Sequence, residues 1–289
     1  MSHQPLAGIT VVSLATNLPG PLAASRLAAL GAAVVKVEPP RGDLLRTAAR
    51  SWYDELVTGQ DVVTLDLKDE DDRSRLEGLL VDADLLLTAL RPSALVRLDL
   101  PGSIRRHRLA LVEIVGHDGD LAEAPGHDLT YQAAHGTIVA PTMPLVPVAD
   151  LIGAERAVTA ALTALRQRDR GDDAAHVRVV LADAARAAAA GVRHGLTAPG
   201  AVLGGALPGY GIYATTDGHV AVGALEPHFA DRLATHVGRT RDDLTHRFAT
   251  NSSQHWEALG ASLDIPIVAV REPRAVASRR PLDPTPAPR

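Results

Sequence analysis

Apolar positions in this chain fall into short runs set off by turn residues, and the runs alternate between strand-like and helix-like spacing. Ile9 to Leu14 is rich in β-branched residues and predicts a buried strand. Pro19-Gly20-Pro21 breaks it. Leu22, Leu27 and Leu30 then mark one face of a helix closed by Gly31. Ala33 to Val37 predicts a second buried strand, stopped by Pro39-Pro40. Strand, helix and strand make a βαβ unit, so these two strands should be parallel. Val62 to Leu67 predicts a third strand. A helix over Asp69 to Val81 follows, with acid in its first turn to suit the helix dipole. Asp84 to Leu90 predicts a fourth strand ended by Arg91-Pro92, Ser103 to Arg108 a short basic helix, and Leu109 to Val115 a fifth strand. This alternation predicts a doubly wound, Rossmann-like α/β domain. No G-x-G-x-x-G follows the first strand, so a dinucleotide is not indicated.

Beyond a loop with Pro141, Pro144 and Pro147, Asp150 to Arg168 reads as a long helix with Leu151, Val158, Leu162 and Leu165 on or near one face. Val177 to Leu181 predicts a strand. Asp183 to His194 predicts an alanine-rich helix packed between other elements. Glycines and a proline over 200–209 form a linker, and the spacing then changes. Tyr210 to Thr215 and Val220 to Leu225 flank Asp217-Gly218, a hairpin signature. Helices are predicted over Pro227 to Val237 and His255 to Leu263, with a last strand over Ile265 to Val270, and 239–251 is polar and weakly patterned. The expected organisation is a large domain over 1–205, a smaller α+β domain over 206–271 and an extended, proline-rich tail over 272–289.

Composition narrows the function classes. Of 289 residues, 46% are hydrophobic, enough for a sizeable core, but only 3% are aromatic. The expected core is therefore Ala, Val and Leu packing rather than ring stacking. A formal net charge of −5 offers no basic face for nucleic acid. The absence of cysteine excludes a thiol nucleophile, a disulfide framework and a cysteine-based zinc site. No apolar run approaches the ~18 residues of a membrane span, and residues 1–5 lack the features of a signal peptide. A cytoplasmic location and no membrane partner are expected.

Two stretches carry the candidate chemistry, Pro125-Gly126-His127-Asp128-Leu129-Thr130-Tyr131-Gln132 and Val148-Ala149-Asp150-Leu151-Ile152-Gly153. Each sets an ionisable side chain near a glycine at or just before a helix start. If they face each other across a pocket, His127 and Asp150 form an acid/base pair. The plainer roles are a turn histidine bonded to backbone and an aspartate N-cap. Glu226, before Pro227, also sits where a cap is wanted. The chain has 12 histidines, and of the others His117 and His135 lie near the site in sequence. His127, Asp128 and Asp150 include metal-ligand types, but no H-x-x-x-H or H-E-x-x-H pattern supports a metal site. No G-x-S-x-G elbow supports a serine hydrolase.

The sequence resembles the class III CoA-transferase (CaiB/BaiF) family, the group of carnitine–CoA transferase, formyl-CoA transferase and α-methylacyl-CoA racemase. The resemblance runs in family order through Pro5-Leu6-Ala7-Gly8-Ile9, Leu18-Pro19-Gly20-Pro21, Leu30 to Pro40, Val63 to Lys68, Ala83-Asp84-Leu85-Leu86, Arg91-Pro92, Pro125 to Asp128, Ala149-Asp150-Leu151 and Val222 to Pro227. It implies a Rossmann-like large domain, a small domain and an interlocked homodimer with the active site between the large domain of one chain and the small domain of the other. No cofactor is implied beyond coenzyme A carried in the thioester substrate.

Two chemistries occur in that family. In the transferases the residue matching Asp150 attacks the thioester and forms a mixed anhydride. In the racemases the residues matching His127 and Asp150 stand on opposite faces of the α-carbon; one removes the proton and the other returns one to the far side. The match to Glu226 holds the histidine, and the amide of the match to Asp128 donates to the enolate oxygen. Gly126-His127-Asp128 with Leu129-Thr130-Tyr131 and Leu225-Glu226-Pro227 resembles the racemase pattern, so racemisation of a 2-methylacyl-CoA is the preferred expectation. By resemblance Val37, Glu38, Pro39, Arg41 and Arg91 border the nucleotide, and Asp128 and Tyr131 lie along the pantetheine. The family's basic run before the third strand is replaced by Val57-Thr58-Gly59-Gln60-Asp61, without positive charge. Arg41, Arg46, Arg91 and Arg97 remain as phosphate partners, and an acyl-CoA-binding paralogue without catalysis stays as a third expectation.

Overall fold

The computed structural model describes residues 4–171 and 175–273; of the expected C-terminal tail, 274–289 lie outside the described residues. The described residues fall into two compact units, divided between Ala189 and Ala190.

The first unit runs β1 (Thr10–Ser13), α1 (Pro19–Ala29), β2 (Ala33–Glu38), α2 (Leu44–Ala48), α3 (Arg50–Leu56), β3 (Asp61–Thr64), α4 (Glu70–Val81), β4 (Leu85–Thr88), α5 (Pro92–Arg97), α6 (Leu100–His107) and β5 (Ala110–Val115). It ends with α7 (Asp128–His135), α8 (Val148–Asp169), β6 (His176–Val180) and α9 (Leu181–Ala188). All pairings in its six-stranded sheet are parallel, in the order β3-β2-β1-β4-β5-β6. The doubly wound expectation holds. Successive residues of a strand point to opposite faces, and both faces are covered. Val11, Leu85 and Leu87 join the core under α1, α8 and α9, while Val12 and Leu86 join the core under α4, α5 and α6. Two-sided burial is why these strands read as near-continuous apolar runs.

Several elements differ from the sequence expectation. Pro19 does not break the chain ahead of the helix but occupies its first turn, where proline lacks only a donor that has no partner there. Helix α8 begins at Val148, not Asp150. Its buried face is mostly a stripe of small residues, Ala149, Gly153, Ala154, Ala157, Ala160, Ala161 and Ala164, joined by Leu165 as expected, whereas Leu162 is exposed. Helix α9 lies so close that a Cβ on Gly153 would run into the Leu181 side chain. Short helices α2, α3 and α5 carry no long apolar stripe and were not expected.

A buried ionic network closes the end of β2. Lys36 Nζ donates to Glu38 Oε1 at 2.6 Å and Asp43 Oδ2 at 2.8 Å, and Tyr53 Oη donates to Glu38 Oε1 at 2.8 Å. Asp43 Oδ1 accepts from the amides of Leu45 and Asn17, both at 3.0 Å. The first bond caps α2. The second fixes the loop after β1, where Asn17 has φ +68.

The second unit contains α10 (Ala190–Arg193), β7 (Tyr210–Ala214), β8 (His219–Gly223), α11 (Pro227–His236), α12 (Arg241–Phe248), α13 (Ser253–Leu263) and β9 (Ile267–Ala269). Its three strands are antiparallel in the order β7-β8-β9, with β7 and β8 paired as the hairpin the sequence predicts. The core of this unit corrects the expectation from composition. Phe248 lies between Tyr213 and Trp256, with ring centroids 5.2 and 5.1 Å away, and the indole N–H donates to the Phe248 carbonyl at 2.9 Å. Few aromatics over the whole chain still suffice for an aromatic cluster in a small unit.

Candidate active site

In an open parallel sheet, ligands bind beyond the carboxyl ends of the strands, where the strand order reverses. Here the order reverses at β1 and β4. The chain leaves β1 through Thr16-Asn17 and β4 through Ala89-Leu90-Arg91, and two cavities open between them. Both are lined by Thr16 and Leu90.

The first cavity, about 250 Å³, is lined by Arg91, Gly116, Gly126, His127, Tyr131 and Asp150 among others. The two stretches singled out in the sequence therefore meet at one cavity. His127 is the N-cap residue of α7, and its backbone is pinned rather than its ring. The His127 N–H donates to Thr130 Oγ1 at 3.1 Å, and the Thr130 hydroxyl donates to the His127 carbonyl at 2.7 Å. Asp128 is the first residue of α7, so its N–H is one of those a helix leaves without an intrahelical partner.

Asp150 is the third residue of α8 rather than its cap, and its carboxyl is half-buried. The carboxylate that serves the helix start is Asp128: Oδ1 accepts from the amides of Ala149 at 2.7 Å and Asp150 at 3.2 Å. Burial, and then the Asp128 charge beside it, push the Asp150 carboxyl up to about 7. Tyr131 is buried and forms a wall of the cavity. Its hydroxyl end approaches Gly116 and Gly126 so closely that a Cβ on either would collide with it, at 2.5 Å in the case of Gly126. Burial, then the Asp150 charge, raise the Tyr131 phenol. His117 stands edge-on to the Tyr131 ring with centroids 5.2 Å apart, and His135 lies in the last turn of α7, away from His127.

The second cavity, about 660 Å³, is lined by Val37, Glu38, Pro39 and Arg41, the residues the resemblance placed beside a nucleotide. The Glu38 carboxylate is held inward by Lys36 and Tyr53; burial acts to raise it, and these bonds outweigh burial and keep it low. Arg97, Lys68 and Arg73 also line this cavity. Lys68 and Arg73 were missed as candidates because their stretch, from the end of β3 into the start of α4, lies far in sequence from Arg41 and Arg97. Arg91 lines the first cavity instead, and Arg46 lies over the Tyr53 ring, 5.9 Å from its centroid.

Glu226 belongs to the second unit. It occupies the N-cap position of α11, is exposed, and makes no capping hydrogen bond with its side chain, so the plain capping role does not account for it. Among the described residues no group of three or more His, Asp or Glu is placed to hold a metal ion. No helix among them is long and apolar enough to cross a membrane.

Known proteins are similar to this chain in sequence or in fold. A probable fatty acyl-CoA transferase of Mycobacterium tuberculosis is 28% identical over 305 residues, covering 92% of this chain and 77% of that protein. The acetyl-CoA:oxalate CoA-transferase of Acetobacter aceti is 32% identical over 199 residues, 62% of this chain and 51% of the relative. Human α-methylacyl-CoA racemase is 28% identical over 269 residues, 84% of this chain and 68% of that protein. A CaiB/BaiF family protein from Brucella suis shares the fold at a TM-score of 0.78 and 24% identity, over 93% of this chain and 85% of that one. The family description CoA-transferase family III matches residues 6–278, nearly the whole sequence, and the chain belongs to that family.

Proposed function

We propose that the protein moves the α-proton of a 2-methylacyl-CoA thioester by two-base transfer, with His127 and Asp150 as the two bases. The observation that carries this reading is that both side chains line one cavity and that the Asp150 carboxyl is raised to about 7. A group titrating near the working pH serves equally as acid and base. One base takes the α-proton. The C–H electron pair moves into the carbonyl and makes an enolate. The second base gives a proton to the opposite face of the carbon. The Asp128 N–H is the donor for the enolate oxygen. The nucleotide of coenzyme A occupies the larger cavity, with Arg41, Lys68, Arg73 and Arg97 for its phosphates, and the thioester passes Thr16 and Leu90 to the smaller one. The reading carries a homodimer with it, in which Glu226 of a second copy orients the His127 ring.

The test is exchange of the α-hydrogen of a 2-methylacyl-CoA in D₂O, followed by NMR. Exchange is expected in the unaltered protein and is expected to fall at least ~100-fold in His127→Ala and in Asp150→Asn. The second reading, supported by the transferases among the relatives, uses Asp150 as a carboxylate nucleophile. It predicts an acyl group on Asp150 that hydroxylamine traps, with His127→Ala tolerated. Binding of CoA without either reaction over a broad panel of thioesters would leave an acyl-CoA-binding protein.

A further inference from the structure

We infer that the side chain of Asp128, clamped by Gln132, is a positioning residue for Asp150: it occupies the amides that open α8 and withholds that helix N-terminus from the Asp150 carboxylate. The inference rests on the proposed role of Asp150, but it concerns a carboxylate for which that mechanism has no use.

The geometry is a bridge between the two elements that carry the proposed bases. Asp128 Oδ1 accepts from the amides of Ala149 and Asp150, at 2.7 and 3.2 Å. Asp128 Oδ2 accepts from Gln132 Nε2 at 2.6 Å. The same nitrogen of Gln132 donates to the Val146 carbonyl, in the loop entering α8, at 2.9 Å, and Gln132 Oε1 accepts from the Thr137 hydroxyl at 3.2 Å. Gln132 is buried, and every polar atom of its amide is engaged, which fixes which way it faces. One side chain thus ties His127, its neighbour in sequence, to Asp150, whose amide it holds.

The electrostatic consequence follows from the same contacts. Free amides at a helix start stabilise an anion. With Asp128 in that place, Asp150 loses those donors and gains a negative neighbour. Around Asp150, α7 presents His127, Asp128 and Tyr131, the loop after β4 presents Arg91, and α9 presents the uncharged Leu181. Burial and the Asp128 charge are the causes of the raised Asp150 carboxyl, which fits this arrangement.

The test reads protonation without substrate. In protein labelled with ¹³C at the aspartate carboxyls, the Asp150 signal is assigned by its loss in Asp150→Asn and titrated. Asp128→Asn keeps an acceptor for the two amides and removes the charge; Asp128→Ala also frees the amides. The Asp150 midpoint is expected to fall by at least about one pH unit in the first and further in the second. An unchanged midpoint in both overturns the inference. A measurement on the unaltered protein stands if the variants do not fold: the amide protons of Ala149 and Asp150 are expected downfield, as carboxylate-bound donors. Ordinary shifts for both overturn it. Failure of α-proton exchange would count against the two-base reading alone, because the titration involves no turnover.

Discussion

At the scale of the residue, the raised Asp150 carboxyl is also a statement about stability. Its folded-state value of about 7 lies above the ordinary carboxylate value near 4, so between those values the folded state holds a proton that the unfolded state has released. Stability therefore falls as the pH rises through this window, and the cost is fully present above about 7. Asp150→Asn removes the ionisation. It is expected to stabilise the protein by roughly 2–4 kcal/mol at pH values above the window, and by almost nothing once the pH drops below both values. Urea unfolding at the two extremes reads this directly; a gain that does not change with pH would mean that the carboxyl is not raised. A carboxyl that lowers stability when ionised is one that folding alone does not favour. The helix start near Asp150 was legible in the sequence, and the identity of its cap was not. The acceptor, Asp128, lies 22 residues before the second amide it holds, and a cap supplied from that distance leaves no local S-x-x-E-type signature.

At the scale of the element, legibility followed burial. The strands β1, β2, β4 and β5 were plain because both faces are covered and apolar residues run through them. Helices α2 and α3 were opaque because their stability comes from contacts the sequence does not place together. Helix α2 is the clear case. It has no buried residue of its own and starts on Asp43, whose carboxylate is held by Lys36. Lys36, Glu38 and Asp43 are all essentially without solvent exposure, so removing the cation strands two buried carboxylates. Lys36→Met is expected to cost about 3–5 kcal/mol at neutral pH. The loss should shrink as the pH falls and the stranded carboxylates take up protons. Chemical denaturation across pH checks this, and a loss within the ~0.5 kcal/mol of a surface substitution would sink it. The network also holds the amide of Asn17 in a left-handed conformation on the wall of the first cavity, so the same variant disturbs the site from beneath.

At the scale of the whole molecule, charge and topology have to be weighed together. The chain is formally −5, which by itself repels a polyanion such as coenzyme A. The family-type basic run before β3 is absent, and the sequence read in order suggested a weak phosphate site. Folding changes that picture, because the crossovers of the sheet bring Arg41, Lys68 with Arg73, and Arg97 from three stretches of the chain to the larger cavity. Asp66 lies there too, and Glu38 is already paired with Lys36, so the local balance is positive although the total is negative. These cations are exposed, and salt screens exposed charges over a Debye length of about 8–10 Å near physiological ionic strength. Binding of an acyl-CoA should therefore weaken as salt is raised. Replacing Lys68 and Arg97 together by alanine should weaken it about tenfold or more, or ~1.4 kcal/mol. An acyl-pantetheine, which lacks the nucleotide and its phosphates, should lose far less to both changes. Calorimetry with the two ligands separates the cases. If both ligands weaken equally, the four cations do not read the phosphates, and the larger cavity has another occupant.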